Sequence, residues 1–373
     1  MKRILILEPY YGGSHKNFLE GLQKYVTAKY VLFTLPARKW KMRMQFSAIW
    51  FVEQIRTLPV ADRRFDAVLC STFVDVAVLR ALLCSLDGWN QNTRMLTYFH
   101  ENQFAYPQRI DDPVIYQFTN INFHSALASD AIAFNSLYNR HTFLAGCRNG
   151  MRAASGMKFP GIIKKLSDKS RIIFPGIEFA EIDRLNKKKS IEVPVIVWNH
   201  RWEHDKNPES FFLALDVLQQ RGVDFRLIVL GQSFKGSPAC FANAKTKFKD
   251  KIIHYGFVPS YQQYIELLCK GDIVVSTSHH EFYGISIIEA VRAGCVPVLP
   301  NRLSYPELFD KRFLYSEDSF PERLESVVKK LCRLTPEAAR EMTERFSWQG
   351  MQDHYLEWLL GEKTVPTSRP EEK

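Results

Sequence analysis

Short apolar runs rich in valine and isoleucine recur along the chain, separated by longer stretches in which apolar residues return every three or four positions. In the first half the runs are Arg3–Leu7, Tyr30–Leu35, Ala67–Cys70, Met95–Phe99, Ala131–Phe134 and Arg171–Phe174. In the second half they are Val193–Trp198, Phe225–Leu230, Lys251–His254, Ile273–Ser276, Val296–Leu299 and Phe313–Tyr315. Near-continuous apolar strands alternating with amphipathic helices predict two α/β domains in tandem, each a doubly wound, Rossmann-like parallel sheet. A polar segment from Arg184 to Glu192 separates the halves. The expected division is a first domain over 1–185, a second over 193–345, a last amphipathic helix within 346–360 and a disordered polar tail over 361–373.

Composition agrees with two folded domains and removes several alternatives. A chain of 373 residues with 46% hydrophobic and 24% charged residues is long enough for two cores and is not of disordered or fibrous type. No apolar run approaches the ~20 residues that span a bilayer, so no membrane insertion is expected. The seven cysteines are scattered and include no C-x-x-C pair, which points to a reducing, cytoplasmic setting without disulfides or zinc. Net charge is +10, and it is unevenly placed. Residues 1–190 hold 27 Lys and Arg against 15 Asp and Glu, a surplus of twelve, whereas the remainder is slightly acidic. A one-sided basic field suits a polyanionic partner, either nucleic acid or an anionic membrane surface, although basic faces also serve solubility. Within it, Arg38, Lys39, Lys41 and Arg43 interleave with Trp40, Met42 and Met44. That composition can hold phosphates and stack unpaired bases; it also fits a helix whose aromatics pack inward while its cations point outward.

The sharpest local pattern runs from Ser278 to Val298. Glu281 precedes the turn Tyr283-Gly284, and Glu289 follows about a turn and a half into the next helix. The backbone N–H groups at Gly284 and Ile285 then open a helix, a favourable place for a diphosphate, with one carboxylate for sugar hydroxyls and one for ribose hydroxyls. His279, His280 and Glu281 are adjacent, and neighbours in an extended segment point to opposite faces, so no metal site is expected. In the first half, Gly12-Gly13 follows the first strand and opens a helix, where backbone can approach a ligand closely. His100-Glu101-Asn102-Gln103 follows the fourth strand and Asn135-Ser136 the fifth. These lie at carboxyl ends of parallel strands, where crevice ligands bind. His100 is the side chain expected nearest the reacting centre, as an orienting hydrogen-bond partner or a proton acceptor. Glu101, Asn102 and Asn135 are expected on the acceptor, together with Arg38, Lys39, Lys41 and Arg43.

The Glu281-to-Ala290 stretch resembles the E-x-F-G-x-x-x-x-E-A signature of the retaining GT-B glycosyltransferases, a family that includes sucrose and trehalose synthases and many bacterial mannosyltransferases, with Tyr283 inserted. The resemblance implies two domains facing across a cleft, with Glu281 on the transferred sugar and Glu289 on the donor ribose. The stretch Arg201 to Lys206 resembles the same family's R-x-x-x-x-K element, implying that Arg201 and Lys206 bind the diphosphate in place of a metal. Tyr283, Gly284, Ile285, Gly12 and Gly13 join them as donor contacts, and the last helix resembles the one that crosses back to the first domain. The His-Glu-Asn-Gln loop, the Glu8-to-His15 opening and Phe134-Asn135-Ser136 resemble a narrower group, the tRNA-queuosine mannosyltransferases. That resemblance spans nearly the whole chain. It implies mannosyl transfer from GDP-mannose to queuosine at the wobble position of tRNA for aspartate, with no cofactor. The alternative is a GT-B enzyme acting on a lipid-linked or polysaccharide acceptor at an anionic membrane.

Overall fold

A computed structural model describes residues 1–106, 115–154, 156–186, 192–234, 236–330 and 333–361. The chain forms two compact units, one of residues 1–176 with 348 onward, the other of 177–347. In the first unit the order is β1 (Arg3–Tyr11), α1 (Gly13–Tyr25), β2 (Lys29–Pro36), α2 (Trp40–Arg56), β3 (Ala67–Ser71), α3 (Val76–Leu83), β4 (Arg94–Phe99), α4 (Ile115–Ala128), β5 (Ala131–Phe134), α5 (Leu137–Ala153), α6 (Ile162–Asp168) and β6 (Ser170–Ile172). The strands form one sheet in the order β2-β1-β3-β4-β5-β6, and every pair is parallel. Helices cover both faces, so Ile4, Leu5, Ile6 and Leu7 are all buried, which is why this strand reads as an unbroken apolar run.

The second unit continues with α7 (Ala180–Leu185), β7 (Val195–Asn199), α8 (Pro208–Gln220), β8 (Arg226–Leu230), α9 (Cys240–Lys247), β9 (Ile252–Gly256), α10 (Tyr261–Lys270), β10 (Ile273–Val275), α11 (Ile285–Arg292), β11 (Val296–Pro300), α12 (Tyr305–Leu308), β12 (Leu314–Tyr315), α13 (Phe320–Lys329) and α14 (Pro336–Thr343). Its sheet runs β12-β11-β10-β7-β8-β9, again all parallel. One core packs Trp198 and Phe211 with Phe225, Leu227 and Val229. The last helix, α15 (Trp348–Leu360), belongs to the first unit, where Trp348, Tyr355 and Trp358 join the core formed by α1 and the sheet.

All six strands expected in each half are present. The division between the halves differs from the expected one at residue 185: Ile177 to Leu185 belong to the second unit. This segment packs its buried Ile182 and the α7 backbone against α10 and α11, and an ion pair that polar composition hides joins it to α11. Asp183 on α7 receives two hydrogen bonds from the buried Arg292 guanidinium at the end of α11, at 2.6 and 2.7 Å. Residues 187–191 and 362–373 lie outside the described residues, and with them the expected disorder of the tail and the basic run Lys187 to Lys189. No helix among the described residues is long and apolar enough to cross a membrane.

Candidate functional site

In the second unit the carboxyl ends of β7, β8 and β10 open into a cavity of about 390 Å³ lined by Asn199, His200, Arg201, Lys206, Glu281 and Ser286 among others. Lys206 is buried after the turn that follows β7, and its ammonium donates to the His280 carbonyl at 2.6 Å. It also lies 3.3 Å from Asp205 and 3.5 Å from Glu281. Burial alone would raise the Glu281 pKa. Lys206, then His200 and the Tyr283 amide, outweigh that and hold the carboxyl below the ordinary glutamate value. Burial, with Lys206 adding to it, pushes His200 down to about 4, so its ring is neutral, and Nε2 has no hydrogen-bond partner among the described residues. Arg201 is half-exposed at the rim and pairs with Glu203 at 2.9 Å.

The turn that sets the second carboxylate is built on Gly284. It caps α11 at φ 103°, in the left-handed region that favours glycine. Ile285 and Ser286 then begin the helix with amides that no helical carbonyl can satisfy. Glu289 sits one turn deeper and accepts from the Tyr264 hydroxyl at 2.6 Å, while Asn199 donates to that hydroxyl at 2.8 Å. Burial raises Glu289 to about 7, the Tyr264 hydrogen bond offsetting part of the rise. Tyr283 does not face the cavity. Its ring is buried against Phe346, and its carbonyl accepts from Ser304.

The first unit gathers a second set of groups at the ends of β1, β3 and β4. His15, on the first turn of α1 after Gly12 and Gly13, is buried with Nδ1 3.0 Å from Glu8 and Nε2 3.5 Å from Glu101. Ser71 and the Tyr10 amide donate to the other Glu8 oxygen, and Thr72 donates to Glu101 at 2.7 Å. Burial opposes charge on His15, but the two carboxylates prevail and lift its pKa to about 10. The His100 ring lies 4.2 Å from that of His15 and makes T-shaped contacts with Phe18 and Tyr98, which stack on each other. Burial and the neighbouring His15 cation hold His100 well below the ordinary histidine value, so it is neutral. Asn135 donates to the His100 carbonyl at 2.6 Å and fixes the start of the loop. Asn102 is fully buried; its amide donates to Asn139 and Thr142 and accepts from the Phe104 and Ala105 backbone. Its side chain shapes the loop and offers no free polar atom to a ligand.

Two parallel sheets whose strand ends carry these groups call for comparison with known proteins. The model of the tRNA-queuosine alpha-mannosyltransferase N-terminal domain matches residues 3–177, and that of the glycosyl transferases group 1 matches residues 181–346. Along 358 residues the chain is 32% identical to the tRNA-queuosine alpha-mannosyltransferase of Drosophila melanogaster, covering 92% of this chain and 90% of that one. The chain belongs to the tRNA-queuosine alpha-mannosyltransferase family. It is also 31% identical over 103 residues to the GDP-mannose:cellobiosyl-diphosphopolyprenol alpha-mannosyltransferase of Xanthomonas campestris, 27% of each chain. Among solved structures, Anabaena HepE in complex with UDP-glucose aligns with a TM-score of 0.68 at 14% identity, covering 97% of this chain and 100% of that one. Sucrose-phosphate synthase from Thermosynechococcus elongatus aligns at 0.67 and 12% identity over 94% and 96%. The fold of this glycosyltransferase family member is therefore GT-B.

The basic stretch divides by face on α2. Trp40 packs inward on Phe73 and Phe118, and Met44 is fully buried. Lys41 lies over the Trp40 and Phe118 rings. Arg38, Lys39 and Arg43 line a separate cavity of about 450 Å³ with Leu35, Met42, Phe46 and Trp50. Sequence reasoning did not single out Tyr264 or Asn199 for the second unit's site, nor Glu8 and His15 for the first. Tyr264 carries no signal in a helix of mixed composition. Glu8, a carboxylate in the middle of an apolar strand, is the signal that was there to read.

Proposed function

We propose that this chain is a retaining α-mannosyltransferase that moves mannose from GDP-mannose to queuosine at the wobble position of tRNA for aspartate, in the cytoplasm and without a metal ion. The observation that carries the proposal is the likeness to the Drosophila tRNA-queuosine alpha-mannosyltransferase along 92% of the chain. The chemistry of the second unit's cavity supports it. Lys206 and Arg201 bring two cations to one cavity, where they neutralise the diphosphate as it departs. Glu281, ionised because the Lys206 ammonium and the Tyr283 amide favour its charge, accepts hydrogen bonds from sugar hydroxyls. Glu289, behind Tyr264, takes the ribose hydroxyls.

Transfer with retention proceeds on one face of the sugar. The queuosine hydroxyl oxygen bonds to the anomeric carbon as the bond from that carbon to the β-phosphate oxygen breaks. The bonding pair leaves on that oxygen, which takes up the hydroxyl proton. His100 orients the reacting groups by hydrogen bonding: held neutral, with a pKa far below 7, it is a weak proton acceptor.

Transfer from radiolabelled GDP-mannose to tRNA with and without queuosine, analysed as nucleosides and repeated with a chelator, tests the proposal. Label in mannosyl-queuosine from queuosine-containing tRNA alone, at a rate the chelator leaves unchanged, is the expected result. Labelled lipid or glycan with unlabelled tRNA would refute the acceptor. Activity that the chelator abolishes and added metal restores would refute metal independence.

A further inference from the structure

Between Gly21 and Val52 the chain carries six basic residues and no acidic one. α2 folds four of these cations, Arg38, Lys39, Lys41 and Arg43, into its entry and first turn. Arg38, Lys39 and Arg43 form no ion pair with any described residue, and Arg43 Nε is buried without a hydrogen-bond partner among them. The same helix turns apolar side chains outward: Met42, Phe46 and Ile49, at i, i+4 and i+7, are 49, 53 and 49% exposed. Three large apolar side chains in one exposed row are unusual for a helix whose opposite face, with Met44, Ala48, Phe51 and Val52, is already buried. The cavity of about 450 Å³ lies where row and cations meet, and its walls include Trp50, Phe46, Arg38 and Arg43. It is large enough for a nucleobase and lies in the first unit, separate from the cavity lined by Lys206 and Glu281.

Resting on an RNA acceptor as proposed above, we propose that this outer face of α2 is a docking subsite for single-stranded RNA. One unpaired base enters the cavity and stacks on Phe46 or Trp50, and the flanking phosphates meet Arg38, Lys39 and Arg43. Charge complementarity selects the occupant. A peptide or second copy of this chain would have to supply carboxylates to three cations that have no ion pair among the described residues, whereas every nucleotide brings a phosphate beside a stackable ring. The subsite reads no base edge, so it binds RNA with or without queuosine and holds the loop while the modified base lies elsewhere.

The test uses the full chain and a labelled, unmodified anticodon stem-loop RNA, with fluorescence anisotropy read over a range of salt. Arg38→Ala with Arg43→Ala should weaken binding at least tenfold and flatten the log–log salt slope by about 1.4, the share of two single-strand phosphate contacts. Phe46→Ala should weaken binding roughly tenfold, the scale of one stacked base, and leave the slope unchanged. These side chains are exposed or half-buried, so thermal midpoints and GDP binding should stay at wild-type values. RNA binding within twofold of wild type in both variants would overturn the subsite. So would either of two other results: loss of binding to acidic phospholipid vesicles with RNA binding intact, or a dimer dissolved by Phe46→Ala alone. Failure of the reading beneath it looks different, since the wild type itself would then neither bind the stem-loop nor label queuosine-containing tRNA.

Discussion

Glu289 shows how a single carboxyl can couple the site to pH. Its pKa stands at about 7 against an ordinary 4.5, because burial disfavours the charged form. Folding therefore binds a proton here. The sign follows: the contribution to stability is fully present below about pH 4.5 and is lost as pH rises through 7, a total of about 3 kcal/mol. In the ribose-binding role proposed for Glu289, donating hydroxyls favour the charged form, so nucleotide binding should release a proton. GDP affinity should rise several-fold between pH 6 and 8, and calorimetry in buffers of different ionisation heat should register the released proton. Glu289→Gln should bind GDP more weakly with a flat profile, and should remove the fall in urea midpoint over the same range. An unchanged pH profile in the Gln variant would dismiss Glu289 as the coupling group. Residues of this kind were only partly legible. Glu281 and Glu289 stood out through spacing and Lys206 through the family resemblance, whereas Tyr264, which sets the hydrogen bonding of Glu289, comes from another helix that only the fold brings close. Asn102 illustrates the opposite error: a polar residue at a strand end looks like a ligand contact, yet its hydrogen bonds go to Asn139 and Thr142 on α5 and to the loop backbone.

At the level of elements, the number and positions of the strands were legible because buried parallel strands leave unbroken apolar runs, whereas their order in each sheet came only with the fold. Short elements were not. α7 has six residues, too few for a periodic pattern, and it meets the second unit through the buried Ile182 and the Asp183–Arg292 ion pair. Arg292 is almost fully buried and ties α7, α11 and α14 together through Asp183, Thr343 and Glu344 at 2.6 to 3.1 Å. Removing it leaves the partly buried Asp183 with only Arg340, a mostly exposed cation 3.2 Å away. Arg292→Leu should cost the second unit about 2–4 kcal/mol, somewhat less than loss of one member of a fully buried pair because Asp183 and Glu344 keep partial contact with water. Hydrogen exchange should localise the damage to α7 and α14. A loss under 1 kcal/mol would mean that apolar packing, with the ion pair incidental, holds α7 on this unit.

The two units differ in how the chain supplies them. The second is one continuous segment, while the first is closed by residues that follow it in sequence. α15 is not an accessory there. Trp348 lies so close to Gly21 that a Cβ at that glycine would meet the indole at 2.2 Å, and Trp348 stacks on Tyr25. Tyr355 donates to the Phe174 carbonyl at 3.0 Å, and Trp358 is buried against Tyr98. Each large aromatic removed from such a core costs ~3–5 kcal/mol, and three together reach the ~5–15 kcal/mol that holds a typical domain. A chain ending at Ser347 should therefore lose protection from hydrogen exchange throughout β1, β3, β4 and β5, while β7, β8 and β10 keep theirs. A chain ending at Gly361 should match the full protein in both sheets. Because His15 packs on His100 and His100 on Phe18, which itself packs against Trp348 and Tyr355, the shorter chain should retain nucleotide binding in the second unit's cavity and lose every activity that needs the first. Native protection of the first sheet without α15 would show that the helix only covers a core able to close by itself.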